Sequence, residues 1–113
     1  MAVTLYHNPN CSNSRKALEL IRERGVRPVV VEYMKTPLGR DALKALIARL
    51  GLPVRAVMRT KEPVYAALNL ATAGDSALLD ALAAHPVLLN RPIVVTDKGA
   101  KLCRPGETVL ELL

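Results

Sequence analysis

The 113-residue chain predicts an α/β domain in which a β-α-β unit and a β-β-α unit flank an all-helical insert. Two short β-rich apolar runs, at 3–6 and 28–33, are separated by one amphipathic helical stretch. Residues 37–85 then carry helical patterning alone, and an apolar run followed by a tight turn returns near the C-terminus. The length suits one domain with its own core and is too short for two ordinary ones, so a single domain over 1–113 is expected.

The first strand ends in the turn formers His7-Asn8-Pro9-Asn10. From Ser12 or Ser14, the residues Ser14, Ala17, Leu18 and Ile21 share one helix face until Gly25 stops the helix. Val29, Val30 and Val31 form a continuous apolar run that predicts a buried strand of a parallel sheet. Thr36-Pro37 reads as a cap and first turn, followed by Leu43, Leu46, Ile47 and Leu50 at helical spacing before Gly51. Shorter helical pieces are expected at 54–58 and 64–68, and a longer one at 76–84 with Asp75 as its cap and Pro86 as its stop. Ile93 to Thr96, the turn Asp97-Lys98-Gly99 and Lys101 to Cys103 predict a hairpin, and 107–113 a final helix. This order resembles a thioredoxin-like domain enlarged by a helical subdomain, which should pack on the sheet because it has no strands of its own to cover.

With 50% hydrophobic and 23% charged residues, the composition is that of a folded domain and excludes a disordered chain. Without Phe or Trp, and with Tyr6, Tyr33 and Tyr65 as the aromatic residues, the core must be aliphatic. The net charge of +6 is spread along the chain without a dense basic run or stacking platforms, which argues against nucleic acid and for a small anionic substrate. The first residues lack the basic and apolar regions of a signal peptide, and no run reaches membrane-span length, so a cytoplasmic location with no membrane partner is expected. In that reducing compartment a structural Cys11–Cys103 disulfide is not expected.

Cys11 falls at a helix N-terminus, where unpaired backbone N–H groups and the positive end of the helix dipole favour the thiolate. Ser12, Ser14 and Arg15 supply nearby donors, and a protonated His7, four residues upstream, would lower the thiol pKa further. The spacing is Cys-x-x-Ser, with Ser14 in place of a second thiol, so any resolving thiol must come from elsewhere. Cys103 lies in an alternating segment and reads as a packed strand residue. Arg59, Arg91 and Arg104 are forked donors suited to a tetrahedral oxyanion, two of them at strand ends.

Four ordered blocks carry a family resemblance: 6–15 around Cys11, 54–62 ending in Arg59-Thr60-Lys61-Glu62, 85–95 through Asn90-Arg91-Pro92, and Leu102-Cys103-Arg104-Pro105. With these the sequence resembles the glutaredoxin-dependent arsenate reductases, the ArsC family. The resemblance implies a thioredoxin-like fold in which Cys11 attacks arsenate, glutathione adds to the arsenic, and glutaredoxin resolves the adduct so that arsenite leaves. It makes Arg59, Arg91 and Arg104 oxyanion ligands, His7 the residue that tunes the thiol, and Ser14 a hydroxyl donor to the thiolate. Asn8, Ser12, Asn13 and Arg15 complete the expected substrate-binding set, with no metal and no bound cofactor beyond glutathione as co-substrate.

Because a thiolate and arsenate repel each other, the three arginines are expected to converge on Cys11. The fold further implies a cis Arg91–Pro92 bond. Asn13 is a variant within the Cys-x-x-Ser loop, and many family members continue past the position of Leu113. A glutathione-dependent thiol reductase of the same fold has no need of three cations. An RNA-polymerase-binding redox regulator typically carries Cys-x-x-Cys, which Ser14 removes.

Overall fold

A computed structural model describes residues 1–113, which divide into two compact units: Met1–Thr36 with Arg91–Leu113, and Pro37–Asn90. The second unit begins where the helical insert was expected and ends at Asn90 rather than near 85.

The first unit contains β1 (Thr4–Tyr6), α1 (Ser12–Glu23), β2 (Val29–Val31), β3 (Ile93–Thr96), β4 (Gly99–Leu102) and a 3₁₀ helix at Gly106–Leu112. Its sheet has the order β2-β1-β3-β4, with β1 parallel to β2 and antiparallel to β3. Leu5 is the central register point, opposite Val30 on one side and Val94 on the other. The β3–β4 hairpin turns through Gly99, whose φ of 137° suits glycine, while Thr96 Oγ1 accepts the Lys98 N–H at 3.1 Å. These strands and helices form the thioredoxin-like fold expected from the element order.

The core of this unit is a single cluster of Val3, Leu5, Ala17, Ile21, Val94, Cys103, Val109 and Leu112. Leu5 of β1 and Val3 just before it point the same way because side chains of extended backbone alternate. Ala17 and Ile21 meet them from α1 because four residues make about one helical turn. Each large aliphatic side chain sealed here contributes about 1.5–3 kcal/mol.

The second unit contains α2 (Arg40–Leu50), a 3₁₀ turn at Val54–Val57, α3 (Pro63–Ala67), α4 (Asp75–Ala84) and a 3₁₀ turn at Pro86–Leu88. Helices α2 and α4 pack together and bury Leu43, Leu46 and Ile47 from one and Leu78, Leu79 and Leu82 from the other. Gly51, at φ 68°, closes α2 in the left-handed conformation that favours glycine. The Arg55 guanidinium donates to the Tyr65 hydroxyl and, at 2.8 Å each, to the carbonyls of Leu70 and Ala73, tying the short helices together.

Four expectations need correction. Val29 and Val30 are 63% and 37% exposed, because β2 is the edge of the sheet rather than a strand buried within it. Helix α2 starts at Arg40 with Gly39 as its N-cap, since the Thr36 N–H closes a turn on the Glu32 carbonyl instead. Asp75 is the first residue of α4 with Gly74 as N-cap, so its carboxylate meets the helix dipole without capping by a hydrogen bond. The final helix is 3₁₀ and begins at Gly106. The Arg91–Pro92 bond is cis as expected, and Arg104–Pro105 is cis as well. No helix is long and apolar enough to cross a membrane.

Burial of Leu5 and exposure of Val29 give opposite expectations on one sheet. Leu5→Ala should lower unfolding stability by about 2–5 kcal/mol in urea titrations. Val29→Thr should change it by less than about 0.5 kcal/mol. Equal losses at the two sites would contradict the edge position of β2.

Candidate active site

The site is built where β1 runs into α1. The loop between them is closed by its own backbone: the Cys11 N–H donates to the Asn8 carbonyl at 3.0 Å, and Asn8 Oδ1 accepts the Asn10 N–H at 3.0 Å. Arg15 clasps the loop from the helix, donating from Nη1 to the Pro9 carbonyl at 2.9 Å. Cys11 then becomes the N-cap of α1, in extended conformation, with its carbonyl accepting the Arg15 N–H at 3.0 Å. No side-chain oxygen or nitrogen caps the helix, so the first amides are left beside the Cys11 sulfur.

Cys11 is 8% exposed, and burial alone pushes its thiol pKa up. The backbone N–H groups of Ser14 and Asn13, together with a hydrogen bond from and the charge of Arg91, outweigh burial and hold the thiol below its ordinary value. Arg104 Nη1 lies 3.7 Å from Sγ and donates to the Arg91 carbonyl at 2.9 Å, so the two arginines are joined beside the sulfur. The arrangement presents a nucleophilic sulfur with fixed cations at its side, as attack on an anion requires.

Arg59 belongs to the second unit. Its Nε donates to Glu62 Oε1 at 3.1 Å, and its backbone N–H to the Leu88 carbonyl at 2.8 Å. Arg91 and Arg104 thus meet at Cys11 within the first unit, whereas Arg59 is held by Glu62 in the second.

His7 and Ser14 act differently from expectation. Burial lowers the His7 pKa, and the charges of Arg22 and Arg15 add to that against the opposing pull of Glu32. The imidazole is therefore favoured as neutral, and its Nδ1 sits 2.6 Å from Ser14 Oγ. Ser14 Oγ also accepts the Asn8 N–H at 3.1 Å. The hydroxyl thus organises the loop, and the contact of Ser14 with the thiolate is made by its backbone N–H. Ser12 is exposed in the first turn, and the side chains of Asn8, Asn13 and Arg15 bond to the protein itself. Gly106, which carries no sequence signal, donates its N–H to Asn13 Oδ1 at 3.3 Å.

A model of the ArsC family matches residues 6–112. The chain belongs to the ArsC family. An arsenate reductase of Escherichia coli is 50% identical over 113 residues, covering 98% of this chain and 80% of that protein. An arsenate reductase of Rhizobium meliloti (strain 1021) is also 50% identical, covering all of this chain and 82% of that one. The solved arsenate reductase from Vibrio cholerae superposes with a TM-score of 0.95 at 47% identity, covering all of this chain and 98% of that chain.

The second thiol of this ArsC-family chain has the opposite environment. Cys103 is fully buried in the core cluster, and burial pushes its pKa up to about 12. No three His, Cys, Asp or Glu side chains group as metal ligands.

Two measurements check this electrostatic picture. In the native protein iodoacetamide should alkylate Cys11 at pH values below the ordinary thiol range, and should reach Cys103 only after unfolding; comparable labelling of both would contradict it. Because the folded pKa of His7 lies below its ordinary value of 6.5, the unfolded chain binds more protons as pH falls through that value, and stability should drop with it. His7→Asn should flatten the change in urea midpoint between about pH 7 and pH 5.5.

Proposed function

We propose that this protein is a cytoplasmic oxidoreductase that reduces arsenate to arsenite with glutathione and glutaredoxin as thiol donors. The observation that carries the reading is the Cys11 thiolate, held at the start of α1 with the Arg104 guanidinium 3.7 Å from its sulfur. Family membership and the activity in the names of the half-identical relatives support the substrate.

In the proposed reaction the Cys11 thiolate attacks the arsenic of arsenate, an S–As bond forms, and one oxygen leaves as water. Arg91 and Arg104 offset the charge of the oxygens as the sulfur approaches. Glutathione then adds to the arsenic, and the glutaredoxin thiol takes the glutathione sulfur. Arsenic gains two electrons, arsenite departs, Cys11 returns as thiolate, and the two external thiols end as a mixed disulfide. Arg59 is proposed as a further oxyanion ligand on its motif position. Ser14 replaces a nearby second thiol and Cys103 is sealed, which supports dependence on external thiols.

A coupled assay with glutathione and glutaredoxin, each omitted in turn, is the direct test: arsenite should form only when both are present. Cys11→Ser should abolish turnover and Cys103→Ser should retain most of it. Arg91→Lys and Arg104→Lys should each reduce kcat/KM by about tenfold or more, since a lysine keeps the charge and loses the fork. Arg59→Lys tests that residue by itself. A folded wild-type protein with no arsenate turnover in the complete system would overturn the reading.

A further inference from the structure

Arg104 is exposed, yet its guanidinium is found beside the sulfur, so something must restrain a long and flexible side chain. At its tip, Nη1 is held by the Arg91 carbonyl at 2.9 Å. The restraint at its base lies two residues along the chain. The Gly106 N–H donates to Asn13 Oδ1 at 3.3 Å, joining the Arg104 loop to the first turn of α1. Gly106 is buried there so closely that an added Cβ would lie 2.6 Å from the Asn13 carbonyl oxygen, 2.9 Å from Lys16 Cβ and 3.2 Å from the Ala17 nitrogen. Glycine is required by this approach alone, because no other residue lets the loop backbone lie against the helix.

We propose that Asn13 is a positioning residue whose side chain, by holding Gly106 against α1, keeps the Arg104 guanidinium at the Cys11 sulfur. Asn13 serves the site twice: its backbone N–H favours the thiolate, and its side chain tethers the loop that delivers the arginine. It orients the oxyanion ligand rather than acting as one. The tether is long for an N–H···O bond, so its loss loosens the loop without dismantling the core cluster. Replacing Asn13 with alanine retains the backbone N–H at the sulfur and so separates tethering from ionisation. The catalytic consequence rests on the reading of Arg104 as an arsenate ligand, but the placement of its charge is measurable without arsenate.

The test compares alkylation of Cys11 by iodoacetate, an anion, with alkylation by neutral iodoacetamide at a pH where Cys11 is ionised. A cation held at the sulfur raises the iodoacetate rate selectively, so Arg104→Ala should lower the ratio of the two rates. Asn13→Ala should lower it by ~threefold while the iodoacetamide rate stays within about twofold, and should add nothing in the Arg104→Ala background. Gly106→Ala, which forces the loop off α1, should lower the ratio in the same direction. The proposal is overturned if Asn13→Ala keeps the wild-type ratio, slows both reagents together, or lowers the ratio equally with Arg104 absent. Wild-type protein that shows the expected ratios but no arsenate turnover would sink the functional reading and leave the tether standing.

Discussion

The site depends on favouring negative charge on a nearly buried sulfur. Burial works against the thiolate, and Cys11 is 8% exposed. Two amides from the start of α1 and one guanidinium reverse the sign of the effect. That requirement reaches well beyond the loop. The helix must begin directly after Cys11, so the chain has to turn between Asn8 and Cys11. The amides must stay fixed, so Ala17 and Ile21, farther along the same helix, are locked into the core against Val3 and Leu5. The strand, the loop and the helix act as one support for a single atom.

Charge neutralisation is divided between backbone and side-chain groups. Backbone amides are preorganised and need no side-chain ordering, which makes them efficient at favouring a thiolate. Arginine side chains must be ordered by other contacts, as Arg104 is by the Arg91 carbonyl. At about 4 Å a charge pair is worth between about 1 and 4 kcal/mol, depending on effective dielectric. Exposure of Arg104 puts it at the lower end. Its electrostatic contribution therefore depends on where it is held more than on the fact that it is charged.

The elements legible in the sequence were those that solve a local problem. Cys11 at a helix start, the hairpin around Gly99 and the glycine stop at Gly51 follow from backbone rules that operate over a few residues. The environment of β2 was not legible: Val29, Val30 and Val31 are equally apolar in an edge strand and in a buried one, and only sheet order decides between them. The roles of His7 and Ser14 were misjudged for a related reason. Proximity in sequence placed them near the thiol, but burial sets the charge of the imidazole and the Asn8 amide takes up the hydroxyl oxygen. Gly106 was invisible because its requirement is a contact across 93 positions (106 − 13) rather than a turn.

The sealing of Cys103 sets a limit on how the protein withstands peroxide. A thiolate held ionised is also an oxidisable one, and its first product, a sulfenic acid, is rescued when a neighbouring thiol condenses with it. Within this fold no such neighbour is open to Cys11, since the other thiol, just past β4, is fully buried in the core cluster. Survival of the oxidised sulfur is then a race between capping by small thiols from solution and irreversible passage to sulfinic acid.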